Sequence, residues 1–275
     1  MRLPRRALPA LAASALATPI LAPRAEEAVL RAGGTGMALA AMRRVAALYA
    51  ALHPGRSLEL LPSLGTGGGI RALLARAIDL GLLARPLLPE EAARGLRARP
   101  YARTPIAIVT GGGTNSAAIT LDHFAAILRG DVTTWPEGNR LRLVRREASD
   151  SDWQLLAGLS PEMARSVAIA LRRPGLVTVG TDQENAEALQ AMAGSIGVMS
   201  IGQLRAEALR LRPLTLEGAV PDLASVEAGR YPLSRTLHIA WAADPVPGVA
   251  PFLDFLAGDA ARETLLNLGY GSPAP

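Results

Sequence analysis

Apolar and polar positions in this 275-residue chain switch repeatedly between a strand-like and a helix-like period. Leu30–Ala32 is a short apolar run that leads into Gly33-Gly34-Thr35-Gly36. From about Met37 to Leu52 the apolar positions Leu39, Met42, Ala46 and Tyr49 recur at three and four residues, the spacing of a helix with one buried face. His53-Pro54-Gly55 stops it. Ser57–Leu61 predicts a strand, Leu64–Gly69 a glycine loop, and a second helix runs from near Ile70 to near Ala77. Ile78–Leu83 predicts a third strand, and Pro89-Glu90-Glu91 opens a helix with acids in its first turn, as the helix dipole favours.

The same alternation continues. Ile106–Thr110 predicts a strand, followed by the turn Gly111-Gly112-Gly113 and a helix over Leu121–Arg129 with Thr120 as its N-cap. Leu141–Arg145 predicts a strand, Ser160–Arg172 and Glu184–Met192 helices, Gly194–Ser200 and Thr236–Ala242 strands. Val249–Leu256 and Ala260–Leu268 close the chain as helices. Strands that alternate with helices predict an α/β fold with a largely parallel sheet. The turn near Gly111 and the Tyr231-Pro232 region are the expected crossings between two lobes.

Composition narrows the chemistry. Apolar residues make up 49%, which excludes general disorder, and aromatics only 4%, so the core rests on Ala, Leu, Val and Ile. There is no cysteine, hence no disulfide, thiol nucleophile, Cys-ligated zinc or lipid-anchored cysteine. All 29 basic residues are Arg, which excludes a Schiff-base lysine and a Walker-A lysine. Arg2, Arg5, Arg6 and Arg24 precede the first acid, Glu26. Beyond residue 25, 25 arginines face 24 acids, so the net charge falls from +5 to +1 and no basic block is left to track nucleic acid. Arg2, Arg5 and Arg6 followed by the apolar, small-residue run Ala7–Leu21 predict a secretory signal peptide over 1–25 and an exported, soluble chain.

Three segments could carry binding chemistry. Gly33–Gly36 and Gly65–Gly69 each lie between a strand and a helix, where free amides and the positive end of the dipole suit an anion, and Thr35 and Thr66 add hydroxyls. Neither forms a dinucleotide fingerprint. The third, Val144 to Trp153, delivers Arg145 from a strand end and Ser149 and Ser151 from a polar turn. Arginine grips an oxyanion with a planar fork, and hydroxyls add neutral donors. Glu147 is placed to hold the Arg145 guanidinium, and Asp150 or Ser149 to cap the next helix. His53, His123 and His238 share no metal-binding spacing, and no G-x-S-x-G elbow exists. No catalytic residue, cofactor or metal is expected.

The order of these motifs resembles the PstS-like phosphate-binding periplasmic components of ABC importers, a branch of the type 2 periplasmic binding proteins. The resemblance spans roughly 28–271. It is carried by Gly33–Gly36, Gly65–Ile70, Asp79–Leu87, Leu121–Phe124 with Ile127–Gly130 and Thr134-Trp135, Arg145–Ser151, Tyr231–Leu233, and Phe252–Leu256 to Gly269-Tyr270. It implies two α/β lobes, each a mainly parallel sheet flanked by helices, closing on an anion in an interlobe cleft. The implied lobes are 26–104 with 236–275, and 105–235. Thr35, Gly36, Thr66 and Gly67 would serve from the first lobe, and Arg145, Ser149 and Ser151 from the second. The implied partners are phosphate or another oxyanion and a membrane permease, with the chain acting as a monomer; a ligand-free signalling or scaffolding module is the alternative. Two departures stand out. Ala84 takes the place where the family sets a carboxylate that accepts a phosphate proton, with Arg85 beside it, and Asp150 replaces a glycine. Asp150 either supplies the missing acceptor or repels an anion, and Arg85 is either its partner or a further ligand contact.

Overall fold

The computed structural model describes residues 28–273; the expected signal peptide over 1–25 lies outside them. Nine strands form one twisted sheet in the order β2-β1-β3-β11-β4-β8-β6-β7, with β9 paired to β4. On one side of the molecule β1 (Ala28–Gly34), β2 (Arg56–Leu60) and β3 (Leu80–Leu83) run parallel. They are linked by α1 (Leu39–Leu52) and α2 (Gly65–Leu74). After α3 (Pro89–Ala93) comes β4 (Leu96–Thr110), which pairs first with β11 (Ser234–Ala242) and then with β8 (Ser195–Ser200), both antiparallel.

The other side holds β5 (Ala118–Ile119), α4 (Leu121–Arg129), β6 (Arg142–Arg146), α5 (Ser151–Ala157) and α6 (Pro161–Arg172). β7 (Val177–Val179), α7 (Asp182–Ala191), β8, α8 (Ile201–Ala206), β9 (Arg212–Pro213), β10 (Thr215–Leu216) and α9 (Leu223–Glu227) follow. There β7, β6 and β8 run parallel. The chain then returns along β11 and ends in α10 (Val249–Ala257) and α11 (Asp259–Asn267) on the first side.

Two main apolar cores result. One gathers Leu39, Met42, Tyr49, Leu80, Leu82, Phe252 and Leu256; the other Ile106, Phe124, Leu128, Trp135, Leu156, Ile196 and Leu233. They are two lobes joined by the long strands β4 and β11. The mainly aliphatic composition has its outlet here, because parallel strands covered on both faces take β-branched and leucine side chains throughout. All four residues of β3 are buried.

The structure corrects three details of the sequence reading. β4 is a single strand of 15 residues, so Arg97, Arg99 and Arg103 lie on a strand. Arg103 Nε donates to Ser234 Oγ at 2.9 Å and Arg99 donates to the Leu253 carbonyl. β4 changes partner from β11 to β8 at Pro105, so the crossing comes well before Gly111. Gly65–Gly69 is the first part of α2, not a loop before it. Thr120 caps α4 as expected, its hydroxyl accepting the His123 amide at 3.1 Å.

Candidate functional site

Two glycines shape the first wall of the site. Gly34 ends β1 at φ +147°, and a Cβ there would lie 2.0 Å from the Leu82 carbonyl oxygen. The bare backbone lets the Thr35 amide donate to that oxygen at 2.8 Å, which ties the turn to β3. A Cβ on Gly69 would meet Gly34 Cα at 3.0 Å, so α2 can pack its first turns directly on this turn. Thr66, in the first turn of α2, accepts the Ala84 amide at 3.0 Å and keeps its own hydroxyl proton free to donate. Thr35, Thr66, Gly67, Arg71, Ala84 and Arg85 thereby face one cavity of about 390 Å³.

The opposite wall comes from the second lobe: Arg146, Glu147, Ser149, Asp150, Ser151, Gly180, Thr181 and Asp182. Two strand-to-helix junctions supply them, β6 to α5 and β7 to α7. Asp150 is the N-cap of α5, accepting the Asp152 amide at 2.8 Å. The indole of Trp153 donates to the carbonyls of Arg146 and Glu147 at 3.2 and 3.1 Å, fixing the end of β6. At the second junction Thr181 and Glu184 form a capping box, which sets Asp182 as the first residue of α7.

Arg146 is the buried cation of the cavity. Its side chain is 8% exposed. Nε and Nη2 donate to Asp150 Oδ2 at 2.9 and 2.6 Å, Nη2 also lies 3.4 Å from Asp182 Oδ1, and the buried Nη1 has no partner among the described residues. Burial works against its charge, but Asp182 and Asp150 outweigh it and raise the pKa further. Asp182 Oδ2 accepts the Met37 amide at 2.9 Å and the Thr35 hydroxyl at 3.3 Å, so this carboxylate bridges the two lobes. Burial raises its pKa, helped by Asp150 and opposed by Arg146. Behind them Asp152 Oδ1 accepts Arg235 Nη2 at 2.7 Å, and burial pushes the Asp152 carboxyl up to about 6. Asp150, Asp152 and Asp182 thus share the two guanidiniums of Arg146 and Arg235.

Of the residues singled out in the sequence, Thr35, Thr66, Gly67, Ser149, Asp150 and Ser151 line this cavity. Gly36 sits just behind Thr35, with Asp182 and Gln183 packed where a side chain would be. Arg145 is a correction: it does not face the cavity. Its Nη1 donates to the carbonyls of Ala170, Leu171 and Arg173 at 2.9–3.0 Å, and its Nε and Nη2 to the Thr178 hydroxyl, so it caps the C-terminal end of α6. Glu147 does not hold Arg145 either: it lies beyond the end of β6, and the Arg145 guanidinium is taken up by the α6 carbonyls and Thr178. Arg85 does line the cavity but is gripped by Glu91 through two contacts of 2.8 Å. It is not the partner of Asp150. That hydrogen bond also raises the Arg85 pKa and lowers that of Glu91. Arg146 and Asp182 are the residues the sequence reading passed over. The Thr181-x-x-Glu184 spacing before a helix was the available signal for Asp182.

Among the described residues there is no cluster of His, Cys, Asp and Glu that could hold a metal ion, and no helix long and apolar enough to cross a membrane. The fold is shared by solved structures. A Clostridium perfringens protein with bound phosphate superposes with a TM-score of 0.76 at 18% identity, over 90% of this chain and 100% of that one. An ABC-type phosphate transport receptor from Vibrio cholerae gives 0.64 at 20% identity, over 90% and 100%. By sequence, 94 residues are 27% identical to the phosphate-binding protein PstS 2 of Streptococcus pneumoniae, covering 34% of this chain and 32% of that relative. The aligned segment is thus about a third of the length of the curated relative it matches. The model of the PBP superfamily domain fits residues 18–260, nearly the whole of the chain and both lobes around the cavity: this protein belongs to the PBP superfamily.

Proposed function

We propose that the protein is an exported solute-binding protein that captures a small oxyanion, phosphate by default, between its lobes and passes it to an ABC importer without transforming it. The observation that carries this is the meeting of the Arg146 guanidinium and the free hydroxyl proton of Thr66 on one cavity between the lobes. A guanidinium and a hydroxyl are the donors a tetrahedral oxyanion needs, and Ser149 and Ser151 add two more. A volume of about 390 Å³ accommodates such an anion with water. The phosphate named for the Clostridium perfringens structure supports the same cargo. Residues 1–25 direct export, and the lobes divide near 105 and 235. The chain works as a monomer with a membrane permease as its partner.

The cavity is also acidic. Asp150 and Asp182 face it, and a fully ionised dianion beside them would be costly. The preferred cargo is therefore a protonated, singly charged oxyanion. Calorimetric titration with phosphate at pH 5.5 and 8.5 tests this: tighter binding at the lower pH is expected. No heat from phosphate, sulfate or any other tetrahedral oxyanion at either pH rejects the capture reading. It would leave the second reading, a module that keeps the fold without a ligand, which the occupation of Arg146 by Asp150 and Asp182 favours.

A further inference from the structure

Asp182 belongs to the second lobe but is held by donors of the first. Its Oδ2 takes the Met37 amide and the Thr35 hydroxyl, while its Oδ1 faces Arg146. Beside it, Gln183 Nε2 donates to the Gly36 carbonyl at 3.1 Å. The fit is close. A Cβ on Gly36 would lie 2.3 Å from Gln183 Oε1 and 2.8 Å from Asp182 Oδ2, so only glycine lets the two lobes meet here. An amide, a hydroxyl and a guanidinium around one carboxylate are also the set of donors that an oxyanion would recruit. A carboxylate is itself an oxyanion, tethered at very high effective concentration.

We propose that Asp182 is a built-in competitor: its carboxylate occupies the donors of Thr35, Met37 and Arg146, latches the lobes shut without cargo, and is displaced when an oxyanion enters. This rests on the oxyanion reading of the cavity. The inference assigns Asp182 a role opposite to that of an acceptor for a proton on the cargo. An acceptor helps binding, and removing it weakens affinity. A competitor hinders binding, and removing it strengthens affinity and frees the lobes.

The test compares the wild-type chain with Asp182→Asn, and with Asp182→Ala should the amide variant fail to fold. Each is titrated with inorganic phosphate at one pH and its ligand-free radius of gyration is measured by X-ray scattering. Glu147→Gln removes one carboxylate from the same cavity and leaves the contact between lobes in place. It supplies the purely Coulombic gain against which the Asp182 variants are read. The expected result is phosphate binding at least about tenfold tighter in D182N than in wild type and clearly beyond E147Q. The ligand-free radius should be larger than that of wild type and shrink on adding phosphate. Affinity unchanged or lowered in D182N while wild type binds overturns the proposal and leaves the oxyanion reading standing. A looser D182N with no phosphate bound by either protein leaves the latch but overturns competition, and phosphate falls as the cargo. An unchanged radius together with no phosphate binding overturns latch and competition alike.

Discussion

Truncating Arg145 and Arg146 one at a time separates two neighbours that the strand turns to opposite faces. In R146A the loss begins with charge. Asp150 and Asp182, at 17% and 13% side-chain exposure, are left facing each other without their common partner. Removing one member of a buried ion pair costs about 3–5 kcal/mol. That is a large part of the roughly 5–15 kcal/mol that holds a domain together. The double variant Arg146→Met/Asp150→Asn keeps the volume of the first side chain and the capping ability of the second, and it should recover most of that loss. With stability restored, the missing charge-assisted contact to the oxyanion, about 1.5–3 kcal/mol, remains as a roughly tenfold to hundredfold fall in affinity. In R145A the guanidinium leaves three carbonyls at the end of α6 and the Thr178 hydroxyl. These groups reach water readily, so the cost is about 1–2 kcal/mol of stability, and affinity should stay within about twofold of wild type. Urea denaturation and calorimetric titration with phosphate read both quantities. Affinity lost in R145A but kept in the Arg146 double variant would refute the assignment of the cation and the strand register behind it.

Three further outcomes follow from the same geometry. Asp152 has a raised pKa, so its contribution to stability is fully present below about 3.8 and is lost as pH rises through about 6. The carboxylates with lowered pKa, such as Glu91, act in the opposite sense. Wild type should therefore lose about 2–3 kcal/mol relative to D152N between pH 4 and pH 7, read as the difference of their urea midpoints, and parallel curves would contradict the burial of this carboxyl. Gly34→Ala forces a methyl onto the Leu82 carbonyl at a left-handed φ and should cost more than about 3 kcal/mol, with the thermal midpoint as the check. Thr66→Val removes the acceptor of the Ala84 amide and one donor to the cavity. It should lower both stability and phosphate affinity, each by about 0.5–1.5 kcal/mol, and a loss confined to stability would remove Thr66 from the site.

The two-lobed α/β architecture was legible because its signals are local. Helix periodicity, the stop at His53-Pro54-Gly55 and the Thr120 cap each need only neighbouring residues. The glycine segments were legible for the same reason, although Gly65–Gly69 reads as a loop by propensity and is helical in the fold. There the close approach of α2 to Gly34 outweighs the entropic cost of glycine in a helix. Arg146 was hidden by a different cause. In a half-buried strand the alternation of apolar and polar residues tells which of two adjacent arginines points inward. β6 is covered on both faces, with Leu143 in one core and Val144 in another, so the alternation carries no such information.

Asp182 was hidden because its role exists only between lobes. Its partners Thr35 and Met37 lie some 145 residues away along the chain, and no local pattern records that distance. Yet its neighbourhood was partly written in the sequence, since Gly180 and the Thr181–Glu184 box mark a strand-to-helix junction of the same kind as the two noted first. Ala84 left the first lobe without a carboxylate at the cavity, and the acids that face it come instead from the second lobe, as Glu147, Asp150 and Asp182. That transfer changes the physics. A carboxylate fixed beside the cargo donors in its own lobe is present in both open and closed forms. One that arrives with the opposite lobe meets the first-lobe donors only on closure, so closure and the contest for Thr35 and Met37 become a single step.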